Sequence, residues 1–230
     1  MQELVLNRQQ VRRIDEIAIR DFAMPGVVLM ENAGRGCVAA LQEFGVAGAV
    51  VICIGRGNNG GDGFVIARHL QILGVPCKLV LFCDPADIRG DALINLQIVQ
   101  KTSIPRTVLP KTISDEEIRN ELSAVAGQPT AWIVDALLGT GASGPVRPPL
   151  DLAVAIANQI PCKRMAVDIP TGLDCDTGQI ANVAFRAHLT CTFVALKPGL
   201  LCPEAQPYVG KIKLIDIGVP PEVISQMMVT

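Results

Sequence analysis

The sequence predicts an α/β fold of three layers, in which a doubly wound, mostly parallel sheet of the Rossmann-like type carries helices on both faces. Apolar, β-branched runs recur without polar alternation, as in strands that are buried on both faces, and segments of helical periodicity separate them. The chain has 230 residues, 50% of them hydrophobic, which suits one domain over 1–230 with a single large core. We divide it into a helical extension, 1–45, and a Rossmann-like core, 46–230.

Two helices are predicted ahead of the first strand. Asn7 suits the N-cap of the first, whose apolar residues recur on one face. These residues are Val11, Ile14, Ala18 and Phe22. Pro25 suits the first turn of a second helix that continues to about Phe44. The sequence does not predict whether these helices pack on the sheet edge or on a partner subunit.

Strands and helices alternate in the remainder of the chain. The predicted strands are 49–55, 77–83, 131–134, 164–167, 189–196 and 211–217. The predicted helices are 64–73, 88–100, 114–126 and 149–159. The helix at 114–126 opens with a capping box, in which Ser114 and Glu117 satisfy each other's backbone N–H groups. Such an order of elements is typical of parallel strands joined by crossover helices.

Charge and composition argue against two classes of function. Basic and acidic residues number 20 and 22, so the chain lacks the basic character of nucleic-acid-binding proteins, and its 3% aromatic content leaves few side chains for stacking bases. The longest apolar stretch, Phe44 to Gly55, falls well short of the roughly 20 residues of a membrane-spanning helix. The first sixteen residues are charged and carry no signal-peptide pattern. We therefore expect neither nucleic acid nor membrane as a partner.

The eight cysteines predict a reducing compartment. None of them forms a CxxC pair, and several lie inside apolar runs, as buried free thiols do. Without a secretory signal, this pattern predicts a cytoplasmic protein. The cysteine and histidine spacings do not support a zinc-type metal site.

Three polar loops follow predicted strands and are candidates for the functional site. They are the first loop (55–63), the second loop (135–145) and the third loop (168–178). Ligands of doubly wound sheets bind beyond the carboxyl ends of the strands, so we expect the three loops to meet at one edge. Carboxylates, an amide and a hydroxyl would converge there, as required for a hard cation or for proton transfer at a polar ligand.

The first loop, GRGNNGGDG, contains a GxGxxG pattern between a strand and a helix. Its glycines would let the backbone approach a phosphate, next to the N–H groups of a helix N-terminus. We expect Asp62 to cap the following helix and to place a negative charge where a pyrophosphate would lie. The loop would then suit a ligand that needs side-chain amides as well as backbone N–H groups. The alternative is a tight turn with an aspartate cap.

The other two loops each begin at an aspartate. Asp135 ends an apolar strand, and no helix begins until about Pro148, so this aspartate is not a helix cap. Asp168 also ends a strand, with Thr171 three residues later. Taken singly, each aspartate is equally well explained by solvation or an Asx turn. Lys197 is a secondary candidate at the same edge, although a solvated lysine in a KPG turn is the preferred interpretation.

Six segments, in order along nearly the whole chain, resemble the YjeF N-terminal domain family, whose enzymes are NAD(P)H-hydrate epimerases. They are LMENAGR (29–35), GRGNNGGDGFVIAR (55–68), DALLGTG (135–141), VDIPTGLDCDTG (167–178), TCTFVALKPG (190–199) and IDIGVP (215–220). The resemblance implies a metabolite-repair isomerase that acts on NADH or NADPH hydrated at the nicotinamide C5–C6 bond. It would interconvert the R and S epimers at C6 for an ATP- or ADP-dependent dehydratase.

The resemblance also implies which residues form the site. The substrate-binding positions would be Asn58, Asn59, Gly60, Gly61, Asp62, Gly139, Thr140, Gly141, Ala142, Ser143, Gly144, Pro145 and Asp168. One potassium ion per subunit would be held by Asn59, Asp135 and Thr171, where the family usually has Ser instead of Thr171. We assign Asp168 as the catalytic acid/base. We further expect a homodimer, with the dehydratase carried by a separate protein.

Two alternative functions stay open. Asp84 follows the second strand where a ribose-binding acid would fall, which suits an NAD(P)-dependent oxidoreductase, although Asp62 and the paired asparagines argue against it. Members of the same family also serve as non-catalytic, dimerising scaffolds, so the fold does not settle the function. The presence of Asn59, Asp135 and Asp168 argues against a scaffold.

Overall fold

A long, mostly parallel sheet organises the structure, a computed structural model in which residues 4–110, 112–125 and 127–229 are described. The strands are β1 (Ala49–Ile54), β2 (Cys77–Leu81), β3 (Arg106–Val108), β4 (Ala124–Val125), β5 (Gln128–Ala136), β6 (Lys163–Val167), β7 (Leu189–Phe193) and β8 (Lys211–Ile215). Their spatial order is β3-β2-β1-β5-β6-β7-β8, with all these neighbours parallel, while β4 pairs antiparallel with β5. The predicted fold class is confirmed.

Helices connect most of these strands. They are α1 (Arg8–Arg20), α2 (Gly26–Glu43), α3 (Asn58–Ile72), α4 (Gly90–Val99), α5 (Asp115–Ser123), α6 (Leu150–Ala157), α7 (Gln206–Val209) and α8 (Pro221–Val229). The sequence does not predict β3, β4, α7 or α8. The predicted helix from Ser114 ends at Ser123, and its expected last residue, Ala126, lies outside the described residues. Within the described ranges, no helix is long and apolar enough to cross a bilayer.

The strand β1 shows why the apolar runs lack polar alternation. Val50, Ile52 and Ile54 belong to a core cluster on one face of the sheet, which the helices α1–α4 and α8 cover. Val51 and Cys53 belong to a second cluster on the other face, under α5 and α6. Both sides of the strand are therefore buried, as expected for a parallel sheet between two helical layers.

The two opening helices pack on the first face of the sheet. Ile14 and Ile17 of α1, with Cys37 and Leu41 of α2, are fully buried and belong to the same core cluster as the inner strands. The helix α1 begins at a capping box, in which the side chains of Asn7 and Gln10 each accept the other's backbone N–H. The predicted Asn7 cap is confirmed.

The winding of the chain creates a crevice between β1 and β5. From β1 the chain proceeds outward through β2 to β3, and it then returns to β5 and winds in the opposite direction to β8. The carboxyl ends of the two central strands pair through Ile54 and Ala136, and the connections that leave them diverge. Such a switch point is the usual ligand site of an open α/β sheet, and the three loops lie around it.

Candidate active site

The glycine-rich segment after β1 is the beginning of a helix. The helix α3 starts at Asn58, well before the predicted Phe64, and its N-cap residue, Gly57, supplies no side-chain cap. The expectation that Asp62 caps this helix is therefore wrong. A Cβ atom on Gly60 would lie 2.0 Å from the carbonyl oxygen of Gly55, so the glycine lets the helix start directly against the end of β1. Glycine disfavours helices, which is why the sequence predicts a loop here.

Asp62 lies inside the first turns of α3, where it is buried. Burial raises the pKa of its carboxyl well above the usual value, and the negative charges of Asp168 and Asp15 raise it further. These effects favour the neutral acid. The expected negative charge at the anion-binding end of the helix is thus suppressed, and the uncapped N–H groups of the first turn stay available for a phosphate.

Asp135 and Thr171 join the second and third loops. The Asp135 carboxyl is fully buried and accepts the Thr171 hydroxyl at 2.7 Å, the Thr171 N–H at 2.8 Å and the Leu137 N–H at 3.1 Å. Burial nevertheless outweighs these hydrogen bonds and raises the pKa of Asp135 to about 6. The Thr171 hydroxyl also accepts the Leu138 N–H at 3.1 Å, so it fixes the path of the second loop.

Asp168 is held by a buried lysine. Its Oδ1 lies 3.0 Å from Lys197 Nζ, and its Oδ2 accepts the Thr140 N–H at 2.8 Å. Lys197 is fully buried and also donates to Thr192 Oγ1 at 2.8 Å and to the Phe193 carbonyl at 3.0 Å. The interpretation of Lys197 as a solvated turn residue is therefore wrong.

The surroundings of Asp168 keep its carboxyl ionised. Burial by itself would raise the pKa of Asp168, but the charge of Lys197 and the Thr140 N–H outweigh it, so the pKa lies below its usual value. Asp168 has a φ of +66° and Val194 has a φ of +65°. Left-handed backbone is tolerated by aspartate but strained for a β-branched residue. Strain of this kind is characteristic of functional sites.

Asn59 lies beside Asp168 with unused hydrogen-bonding capacity. Neither its side-chain oxygen nor its side-chain nitrogen finds a hydrogen-bond partner among the described residues, although both are buried. A Cβ atom on Gly139 would lie 2.8 Å from Asp168 Oδ2 and 3.5 Å from Asn59 Oδ1, so the glycine leaves the space between the two side chains open. A buried amide without partners is costly and is expected where a ligand supplies the missing contacts.

A cavity of about 310 Å³ opens between the second and third loops. It is lined by Gly139, Ala142, Ser143, Gly144 and Pro145 of the predicted second binding stretch and by Thr171. The Thr140 N–H instead donates a hydrogen bond to Asp168, and Gly141 is exposed. Of the first stretch, Asn58 is exposed, whereas Asn59, Gly60, Gly61 and Asp62 are buried along α3.

The burial of Lys197 and the contribution of Asp15 to this site cannot be recognised from the sequence alone. Lys197 follows an apolar strand, and its burial depends on what packs above it. Asp15 belongs to α1, and the charges of Asp168 and Lys197 act on the pKa of its carboxyl. The only sequence signal for Asp15 is its position beside the apolar face of an amphipathic helix.

The oxidoreductase hypothesis finds no support at Asp84. Its carboxylate accepts the Ala86 N–H at 2.8 Å and caps a short 3₁₀ turn at 85–87. Asp84 is therefore engaged in this turn. A dinucleotide fingerprint requires a free acid at the end of the second strand.

The chain is similar to proteins of one family. A family model described as YjeF-related protein N-terminus matches residues 26–199. The NAD(P)H-hydrate epimerase of Pirellula staleyi is 42% identical over 97% of this chain and 96% of its own length. That of Rhodopirellula baltica is 40% identical over 96% of this chain and 87% of its own length.

A longer relative and a solved structure extend the comparison. The bifunctional NAD(P)H-hydrate repair enzyme Nnr of Salinibacter ruber is 38% identical over 96% of this chain, and the match covers 42% of that protein. The crystal structure of yeast ynu0 has a TM-score of 0.77 at 22% identity, with 97% of this chain and 93% of that chain covered, which supports the fold. From the family match and the identity with its relatives over nearly the full length, the chain belongs to the family of YjeF-related protein N-termini.

Proposed function

We propose that this protein is an NAD(P)H-hydrate epimerase, an isomerase that interconverts the R and S forms of hydrated NADH and NADPH at nicotinamide C6. The names of the relatives that match nearly end to end support this activity. The observation that carries it in the structure is the ionised Asp168, held by the buried Lys197 next to the open space at Gly139. The arrangement provides a fixed proton acceptor beside an uncapped helix N-terminus.

The chemistry of the substrate explains why such a site is needed. C6 of the hydrate carries a hydroxyl and the ring nitrogen, so it is a hemiaminal, and its inversion requires loss and return of the oxygen or reversible ring opening. Either route needs proton transfer at that oxygen. Asp168 supplies a carboxylate whose position is fixed by Lys197 and Thr140. General acid/base catalysis of this kind typically contributes about 10²–10⁴ in rate.

The N-terminus of α3 suits the pyrophosphate of the substrate. Helix N-termini bind anions through free N–H groups and the helix dipole, and α3 begins at Asn58 without a side-chain cap. The neutral form of Asp62, favoured by burial, avoids repulsion of the phosphates. The second loop, with its cavity of about 310 Å³, would hold another part of the dinucleotide.

We infer that oxygen atoms of these loops hold a potassium ion. The side-chain oxygen of Asn59 is buried and lacks a hydrogen-bond donor in the described part of the chain, as expected of a cation ligand. The fully buried Asp135 carboxylate and Thr171 would complete the set, since a carboxylate has room for more than the three hydrogen bonds it accepts here. The hydroxyl of Thr171 can replace the serine usual in the family. Bound potassium would offset negative charge near the substrate and tie the loops together.

Further features of the proposal concern the cell. We expect a cytoplasmic homodimer that supplies the S epimer to a separate ATP- or ADP-dependent dehydratase. Longer relatives are named bifunctional NAD(P)H-hydrate repair enzymes, which suits a second activity of this kind. Sedimentation velocity would test the dimer.

The direct test is conversion of purified R hydrate to S hydrate, followed by chromatography against the spontaneous rate in potassium and in sodium buffers. We expect the wild type to accelerate conversion and Asp168→Asn to lose about 10²-fold or more. Asp115→Asn, an exposed aspartate on α5, is the matched control and should keep full activity. Undiminished turnover by Asp168→Asn would refute the role of that carboxylate, and a wild type no faster than background would refute the function.

A further inference from the structure

The segment that leads into α1 is bound to the chain immediately before Lys197. The Leu6 N–H donates to the Leu196 carbonyl at 2.9 Å, and the Leu196 N–H donates to the Leu4 carbonyl at 2.9 Å. Leu6 and Leu196 are both buried. The start of α1 is therefore fixed to the residue next to the lysine that holds Asp168.

A second attachment joins α1 to the third loop. Arg8 Nη2 lies 2.8 Å from Asp174 Oδ2, and the Arg8 N–H donates to Asp176 Oδ1 at 2.8 Å. Asp174 and Asp176 follow Asp168 in the same loop. The start of α1 and the segment before it are thus bound to the residue before Lys197 and to the loop that begins at Asp168.

The attachment of α1 also determines on which side of the helix Asp15 lies. Seven residues are nearly two helical turns, so Asp15 lies on the same side of α1 as Arg8, about 10 Å further along the axis. Its side chain is half-buried. In the described ranges, no hydrogen bond or ion pair forms to its carboxyl, which leaves it free to contact a ligand.

The charges around Asp15 come from its own helix and from three other elements. Burial is the main cause that raises the pKa of Asp15 to about 6, the charges of Asp168 and Glu16 raise it further, and Lys197 opposes them. Asp15 in turn raises the pKa of Asp62 on α3. The two carboxyl groups whose pKa values the charge of Lys197 lowers thus differ, because Asp168 is held ionised while other effects raise the pKa of Asp15 to about 6. Environments that separate two pKa values in this way mark an acid and a base.

We propose that Asp15 is a second proton-transfer residue of this site and works as the acid opposite the base Asp168. The proposal rests on the epimerase function and deepens it, because on the route with loss of the oxygen, the oxygen leaves one face of C6 and returns to the other. Asp168, held ionised by Lys197, is suited to be the proton acceptor in the direction that begins with protonated Asp15. The family model begins at residue 26, so α1 and Asp15 lie outside it.

The reaction transfers one proton from Asp15 to the substrate and one proton from the substrate to Asp168, in the direction that begins with protonated Asp15. Asp15 gives its proton to the C6 hydroxyl, the C6–O bond breaks, and the ring nitrogen lone pair forms an iminium bond to C6 as water departs. A water molecule then adds to the opposite face of C6, the iminium electron pair returns to nitrogen, and Asp168 accepts the released proton. Asp15 has lost one proton and Asp168 has gained one, and exchange with solvent restores both.

The test is the pH dependence of kcat and KM for R-to-S conversion by the wild type, Asp15→Asn, Asp15→Glu and the control Glu16→Gln. Glu16 is exposed on the same helix. Because the acid form of Asp15 is required, wild-type kcat/KM, which reports the free enzyme, should fall as the pH rises through about 6. We expect Asp15→Asn to lower kcat about 10²-fold or more, with little change in KM. The variant should also lose the decrease near pH 6, which is the limb of the pH profile assigned to Asp15. Asp15→Glu should recover part of the rate and the limb. Glu16→Gln should keep the wild-type kcat and move the limb to lower pH, because the charge of Glu16 also raises the pKa of Asp15.

The outcomes separate this proposal from the function on which it rests. An active wild type together with an Asp15→Asn variant that keeps kcat and the limb near pH 6 would overturn the role of Asp15 alone. A wild type without activity would overturn the function and this proposal with it.

A direct titration keeps the proposal testable if Asp15→Asn fails to fold. Carboxyl ¹³C shifts of aspartate-labelled protein should show Asp15 titrating near 6, and this pKa should fall in Asp168→Asn, where a neighbouring negative charge is removed. A value near the ordinary aspartate pKa that does not respond to Asp168→Asn would overturn the coupling between the two residues.

Discussion

Replacement of Lys197 by methionine should reveal how strongly the site depends on one buried charge. Methionine matches the length of the lysine chain but removes an ammonium that contacts Asp168 Oδ1, Thr192 Oγ1 and the Phe193 carbonyl, all within 3.0 Å. Removal of one partner from a buried ion pair costs about 3–5 kcal/mol, because the other charge is left without compensation. For a chain of this size, each kcal/mol lowers Tm by about 2–4 °C, so we expect a loss of roughly 6–20 °C.

The loss of stability in Lys197→Met should become smaller as the pH falls. In the wild type the pKa of Asp168 is lowered, so its stabilisation is present above the ordinary aspartate pKa and is lost only as the pH falls through the lower, folded-state value. In Lys197→Met, burial without the lysine raises this pKa, and protonation of Asp168 relieves the uncompensated charge as the pH falls. The difference in the free energy of unfolding between wild type and Lys197→Met should therefore shrink between pH 7 and pH 4.

Urea unfolding followed by fluorescence is a suitable assay, because Trp132 is the single tryptophan and is buried. Lys213→Met is the matched control, since Lys213 Nζ also lies close to a carboxylate, at 2.7 Å from Glu43 Oε2, but on the surface, where ion pairs contribute little. A Lys197→Met variant no less stable than Lys213→Met, or a loss independent of pH, would refute the reasoning. The double variant with Asp168→Asn should be more stable at pH 7 than Lys197→Met alone.

Three further predictions concern the loops. Gly60→Ala should lower the free energy of unfolding in urea by about 1–3 kcal/mol through overpacking. Gly57→Ala should not lower it, because nothing lies within 4 Å of its Cβ. Equal losses would contradict the close approach of Gly60 to the Gly55 carbonyl. Asn59→Leu should keep its Tm in sodium buffer, because no hydrogen bond is lost, but should lose the rise that we expect from potassium; an unchanged rise would remove Asn59 from the cation site. Thr171→Val should raise the pKa of Asp135 above about 6, whereas Thr171→Ser should leave it unchanged. Carboxyl ¹³C shifts measure both values. Equal values would show that the Thr171 hydroxyl does not lower the pKa of Asp135.

The inner strands could be predicted because burial on both faces leaves a continuous apolar run. AVVICI at 49–54 and LTCTF at 189–193 have this pattern, and both are fully buried in the sheet. The edge strand β3 consists of three residues, two of them exposed, so its apolar signal is too weak to distinguish it from a loop. Its extended conformation comes from pairing with β2, which is a tertiary effect.

The start of α3 was mispredicted for a related reason. Glycines lower the propensity for helix, yet at Gly60 and Gly63 they permit contact with the end of β1 and with Ala136 of β5. The packing of α3 on two strands outweighs the propensity of its first turn. Asp62 accordingly becomes a buried helical residue instead of a cap, and its charge state follows from that burial.

The sequence by itself determined the alternation of strands and helices, the family and the segments in which polar residues follow strands, because these depend on local pattern and residue type. The tertiary structure decided which charges are buried together. Lys197 holds Asp168, and both act electrostatically on Asp15, which belongs to a helix more than 150 residues away in the chain. Charge states in such a site depend on desolvation and on the distances between groups from separate elements, and only the packed fold fixes those quantities.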